Sequence, residues 1–199
     1  MAFAATRVNA QIAIGVKAGL NIATFTGADA TSANFPGKSS KAGVNVGAQV
    51  NIPISKNFSL QPEAVYSMQG MKVTGGHYEL SYANIPVLAV YHFPNSRFSV
   101  GTGPQVGFLT VATAKSSNGT NTDIKANLQK LDYSWATNVA YMTKWKKLGL
   151  NARYNVGVMT IDKPASGVKK EKINNSVFQL GAYWMFSPVT KAKSKKKKK

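Results

Sequence analysis

"FQLGAYWMF", residues 178–186, alternates with period two. Phe178, Leu180, Ala182, Trp184 and Phe186 fall on one side, and Gln179, Gly181, Tyr183 and Met185 on the other. Successive side chains of an extended chain point to opposite faces, so this is a strand with unlike sides. Which side meets water decides the fold.

The same alternation recurs along the chain and predicts eight strands, at 11–25, 43–54, 58–70, 80–93, 98–111, 132–145, 148–159 and 176–186. No long amphipathic helix is legible among them. In the first, Ile12, Ile14, Val16, Ala18, Leu20 and Ile22 alternate with Ala13, Gly15, Lys17, Gly19, Asn21 and Ala23. Most segments reach the roughly 9 to 11 residues that a tilted strand needs to cross a bilayer. Strands of water-soluble domains average about 5 to 6.

The connections are sorted too. Tight turns are predicted after the second, fourth and sixth strands, around Ser55–Asn57, Pro94–Arg97 and Lys146–Lys147. Longer loops are predicted after the first, third, fifth and seventh: TGADATSANFPGKSSKA, MKVTGGHYE, ATAKSSNGTNTDIKANLQKLD and TIDKPASGVKKEKINN. With an even strand number both termini fall at the tight-turn end, the layout of an outer-membrane barrel with periplasmic turns and extracellular loops.

A water-soluble barrel or sandwich would show water a face dense in Lys, Glu and Asp. Here the polar face is mostly Gly, Ala, Asn, Gln and Ser, with Lys17, Glu63, Lys144 and Arg153 as the strand-interior charges. Small uncharged groups suit a confined lumen. Aromatics gather at both strand ends: Phe58, Phe93, Phe98, Trp145, Trp184 and Phe186 near the tight turns, and Phe25, Tyr66, Tyr82, Phe108, Tyr133, Trp135 and Phe178 near the long loops. Aromatic belts of this kind mark the two membrane interfaces. The fold read from these patterns is all-β: an eight-stranded antiparallel up-and-down transmembrane β-barrel over 11–186, apolar face to lipid.

Composition agrees. The 199 residues carry 25 Lys and Arg against 7 Asp and Glu, a formal net charge of +18, with no cysteine. Disulfides and thiolate metal sites are therefore excluded. Lys191, Lys193 and Lys195–Lys199 supply seven of the basic residues, so 187–199 reads as a disordered basic tail. Residues 1–10, ending Val8-Asn9-Ala10, resemble the small-residue end of a signal peptide, a remnant cleaved before Gln11.

An eight-stranded barrel is just wide enough for its own side chains. The expectation is a filled lumen plugged by Glu63 on the third strand and Arg153 on the seventh, which face each other across it, with Lys17 and Lys144 as the other lumen charges. The alternative keeps the two charges apart, each solvated by lumen water and by Lys17, Asn45, Gln49 or Asn151.

The runs GVKAGLNIATFTG, NIPISKNFSLQPEAVYSMQG, YANIPVLAVYHF, FSVGTGPQVGFL, LNARYNVGV and VFQLGAYWMF resemble the PorT-like outer-membrane β-barrel proteins of Bacteroidota, from Gly15 to Phe186. The "SLQPE", "NIP" and "FQLG" pieces are the most specific. The resemblance implies an eight-stranded outer-membrane barrel and no single activity. It also implies that the last strand, with Phe178, Leu180, Trp184 and Phe186, is presented to the barrel-insertion machinery. Expected partners are outer-membrane lipids, that machinery and envelope proteins met through the long loops. The chain is expected to be a monomer with periplasmic termini.

Chemistry is sparse. GTGPQVG at 101–107 opens no helix and lacks a phosphate-loop continuation, so its glycines make room inside a barrel. Asn118-Gly119-Thr120 matches a glycosylation sequon of no use to a bacterial protein. The histidines are His77 in a loop and His92 near a tight turn, too far apart to share a site. A lipid-modifying enzyme built on His77, Glu79 and Ser81 is one alternative, although Glu79 and Ser81 fall on the lipid-facing parity. A soluble basic barrel binding an anionic ligand or nucleic acid is another, but no recognition helix or base-stacking aromatic face accompanies the charge. No catalytic, cofactor or metal site is predicted.

Overall fold

The computed structural model describes residues 12–31, 33–145, 147–163, 169 and 171–187. The strands are β1 (Ala13–Thr26), β2 (Ser39–Pro53), β3 (Phe58–Val73), β4 (Gly76–His92), β5 (Phe98–Ser116), β6 (Asn121–Asp123), β7 (Leu131–Met142), β8 (Leu148–Gly157) and β9 (Asn174–Met185), with one 3-10 turn at Lys125–Asn127. Setting aside β6, a short flap on β5, each strand pairs antiparallel with its neighbour, and β1 pairs with β9. Eight strands thus close into a barrel without an open edge. No helix among the described residues is long and apolar enough to cross a membrane.

The wall is inverted relative to a barrel that folds in water. Ile14, Val16, Leu20 and Ile22 are exposed on the outside, whereas Lys17 and Asn21 of the same strand are buried inside. Phe58, Phe98, Trp145, Trp184 and Phe186 are exposed at the turn end, and Tyr66, Phe108, Tyr133, Trp135 and Phe178 form the belt nearer the loops. Two residues expected in that second belt lie inside. Phe25 shares its parity with Lys17 and Asn21, and Tyr82 shares that of Asn84, so both side chains turn inward and are buried.

The third connection is not a long loop. β3 and β4 stay paired as far as Val73 and Gly76, and the chain reverses over Thr74-Gly75. Gly75, at φ +80°, takes there the left-handed conformation that glycine adopts without steric cost. The sequon residues behave likewise: Asn118 Oδ1 accepts from the Thr120 amide at 3.1 Å, an Asx turn joining β5 to β6.

Prolines mark one sector of the wall. The β3–β4 ladder skips from Pro62↔Val87 to Val65↔Asn84, and the β4–β5 ladder from Pro86↔Gln105 to Ala89↔Thr102, opposite Pro104. Proline has no amide hydrogen to give a ladder, so three adjacent strands lose pairs at one level.

At the loop end Phe25, Ala30, Met71, Leu80, Tyr82, Leu109, Ala112, Ile161 and Ile173 form a buried core, with Phe35, Tyr78, Ile124 and Leu128 against it. Phe25, Phe35 and Tyr78 meet pairwise at about 6 Å between ring centroids. The loops are laced together by backbone bonds, Asp29 to Lys172, Gln129 to Ile161 and Ile161 to Ile173. The barrel mouth on this side is sealed by its own apolar residues.

Candidate functional site

β3 turns Glu63 inward and β8 turns Arg153 inward, and the two meet across the lumen. Arg153 Nη2 donates to Glu63 Oε1 at 2.6 Å and Nη1 to Oε2 at 2.9 Å, a bidentate fork. Lys17, from β1, adds its Nζ to Oε2 at 2.9 Å, and Gln61 Nε2 donates to Oε1 at 2.8 Å. The Glu63 carboxylate therefore accepts four hydrogen bonds, all that its lone pairs accommodate. The three charged side chains are between 0% and 3% exposed. Two cations on one carboxylate leave a net positive charge in the centre of the barrel.

On the loop side of this cluster, Asn21 is the hub of a polar layer. Asn45 and Gln179 donate to its Oδ1 at 2.7 and 2.9 Å, and its Nδ2 lies within bonding distance of Ser67 Oγ and of the Val44 and Met68 carbonyls. The β2–β3 ladder is irregular between Ser40 and Asn45. That irregularity frees backbone carbonyls which would be costly to bury unbonded, and the Asn21 amide takes them up.

On the other side the lumen is hollow, which corrects the expectation of a barrel filled throughout. A cavity of about 660 Å³ runs from Lys17 and Arg153 to the tight turns. Its lining includes Gln49, Asn51, Ser59, Asn138 and Asn151 from the strands, Val90, Ala140, Met142, Tyr183 and Met185, and Lys56, Arg97 and Lys144 at the rim. Tyr183 lies over Gly149, where an added Cβ would collide with its ring.

Lys144 is therefore not a charge of the strand interior. β7 ends at Met142, the Thr143 amide bonds to the Leu148 carbonyl to close the turn, and Lys144 projects from that turn, exposed. Phe178, Leu180, Trp184 and Phe186 lie outside on the last strand, 38–58% exposed. His77 Nε2 is 3.5 Å from Glu79 Oε1, but Glu79 is also held by Lys41 at 3.3 Å and Lys115 at 2.6 Å. Ser81 is buried next to the bulged Thr110, whose hydroxyl donates to the Ser81 carbonyl. None of these three lines the turn-end cavity. His92 lies with Ser59, Nε2 to Oγ at 2.8 Å, at the turn end. In GTGPQVG, a Cβ at Gly103 would meet the Val87 carbonyl, so the glycine there makes room for the wall. Residues 1–10, and all but Ser187 of 187–199, lie outside the described residues.

The sequence places Lys17 in the lumen but not on the Glu63 carboxylate that it shares, and it does not single out Asn21, which organises the adjacent layer. Both were legible as inward residues four apart on β1, but nothing local gives their reach across the lumen.

The architecture has solved counterparts. Neisserial surface protein A superposes with a TM-score of 0.56 at 15% identity, covering 87% of this chain and 97% of the other. Ail, the attachment invasion locus protein of Yersinia pestis, solved with the heparin analogue sucrose octasulfate, gives 0.51 at 11% identity over 88% and 99%. At these identities the likeness is one of fold. No curated protein sequence matches the chain. The profile of the outer membrane protein beta-barrel domain matches residues 4–163. Closed ring, lipid-type exterior and sequence profile converge: the chain belongs to the outer membrane protein beta-barrel domain family, as a small barrel of the type seen in bacterial outer membranes.

Proposed function

We propose that the protein is a non-conducting barrel of the bacterial outer membrane that works as a scaffold or accessory of the envelope, with no catalytic role of its own. The observation that carries this reading is the double obstruction of the lumen. The apolar core closes the loop mouth and the Glu63–Arg153–Lys17 cluster spans the centre. A solute would have to break both.

The turn end and both termini face the periplasm, and the interlaced loops face outward, where they form the contact surface for envelope proteins. The barrel stands as a monomer among outer-membrane lipids, and the exposed aromatic face of β9 is what the insertion machinery reads. Within the family the chain is PorT-like, a finer assignment supported by SLQPE on β3, which supplies Glu63, by NIP on β4 and by FQLG on β9.

Single-channel recording in planar bilayers tests the reading. No steady conductance is expected from the unmodified protein, and a stable porin-like current would overturn it. Protease added to intact cells should cut in the loops and leave the turns whole; the reverse would invert the orientation.

A further inference from the structure

The cavity at the turn end is charged in one sense. Lys17, Lys56, Arg97, Lys144 and Arg153 line it, and no carboxylate does. Glu63 lies behind the first and last of these, wholly buried, and its single charge is shared between two cations. Lys56, Arg97 and Lys144 have no acidic partner among the described residues. Cations gathered in a concave, low-dielectric wall focus positive potential into the cavity and attract anions to it. The floor is also short of partners: Arg153 Nε, 1% exposed with its residue, has none among the described residues, nor do Asn51 Oδ1 and Asn151 Oδ1.

The walls add a second requirement. Val90, Ala140, Met142, Tyr183 and Met185 give the cavity a large apolar share. A volume of about 660 Å³ falls within the range that holds small organic ligands. A bare inorganic ion would leave most of that surface wet.

We infer that this cavity is a binding site for a small organic oxyanion, a phosphate or carboxylate carried on an apolar body, which enters between the tight turns and sets its charge toward Lys17 and Arg153. Its compartment of origin, the periplasm, rests on the orientation proposed above. The binding chemistry does not.

The methionines provide the test. Met142 and Met185 line the cavity, and Met71 is buried in the loop-end core. The full chain, labelled at the methionine methyls and held in nonionic micelles, is titrated with phenyl phosphate, with phenol and with inorganic phosphate. Phenyl phosphate is expected to shift Met142 and Met185 saturably while Met71 stays still. Phenol should leave them unmoved, and inorganic phosphate should bind more weakly. The triple variant Lys56→Gln, Arg97→Gln, Lys144→Gln changes only exposed turn side chains, and should weaken phenyl phosphate about tenfold. Lys56→Arg with Lys144→Arg should keep the affinity.

Absence of shifts at Met142 and Met185, equal response to phenol, a parallel shift at Met71, or unchanged affinity in the triple variant would each overturn the site. Inorganic phosphate binding as tightly as phenyl phosphate would overturn the organic ligand. A steady bilayer current, the failure of the non-conducting reading, leaves every one of these outcomes unaffected, so the two proposals fail separately.

Discussion

The two mouths of this barrel are built on the same eight strands, and they are filled in opposite ways. At the loop end Phe35, Ile124, Leu128, Ile161 and Ile173, from connections or strand margins, fold back over Tyr82 and Leu80 to make an apolar core. At the turn end the chain reverses within a few residues, and the lumen keeps a basic cavity. A connection can plug a barrel only if it has residues to spare after closing the reversal. The difference therefore lies in connection length, and the wall is neutral to it. Between the two ends the Glu63 cluster separates an apolar compartment from a charged one.

That separation can be broken most severely at its centre. Glu63→Leu leaves Arg153 and Lys17 buried without their carboxylate, and a loss of about 3 to 5 kcal/mol is expected in detergent unfolding. Pairing Glu63→Gln with Arg153→Met in a double-mutant cycle should show strong coupling, since the groups share two hydrogen bonds; additive losses would mean that each charge is solvated separately. Next in size is the loop-end core. Leu80→Ala empties a fully buried position and should cost about 2 to 5 kcal/mol, with faster proteolysis of the 27–38 loop as a separate sign that the cap has loosened.

A smaller effect is expected at the wall of the cavity. Gly149→Val drives a side chain into the ring of Tyr183 and should cost about 1 to 3 kcal/mol, with the displaced ring read by its fluorescence or by the Met185 methyl. Smallest is the rim: Lys144→Gln, at an exposed residue with no acidic partner among the described residues, should leave stability within about 0.5 kcal/mol, so any larger loss would show that the rim charges are structural.

Sequence alone carried much of the wall. Strand number, the outward side of β1 and β9 and the tight turns at one end follow from local alternation and turn composition, because side-chain direction in a strand depends only on parity. The inward pairing of residues far apart did not follow from the chain locally. Glu63 and Arg153 could be matched because strands half a ring apart face each other, whereas Lys17 reaches the same carboxylate through barrel tilt and stagger, which are properties of closure. Proximity to a rim places Phe25 and Tyr82 in a belt, but parity turns both side chains inward, and parity decides.

The third connection departs from expectation for a related reason. Its Gly-rich composition marks a reversal but not where pairing stops, and neighbouring strands carried the hairpin on to Val73 and Gly76. Lys144 went wrong by two residues, the distance between the last paired position at Met142 and the turn. What the amino-acid order determined is which way each side chain points. What only the closed structure decided is how far along the lumen each one stands and what it meets there, because depth and partner are set by ring closure and by loops folding back, and both join residues that no local pattern connects.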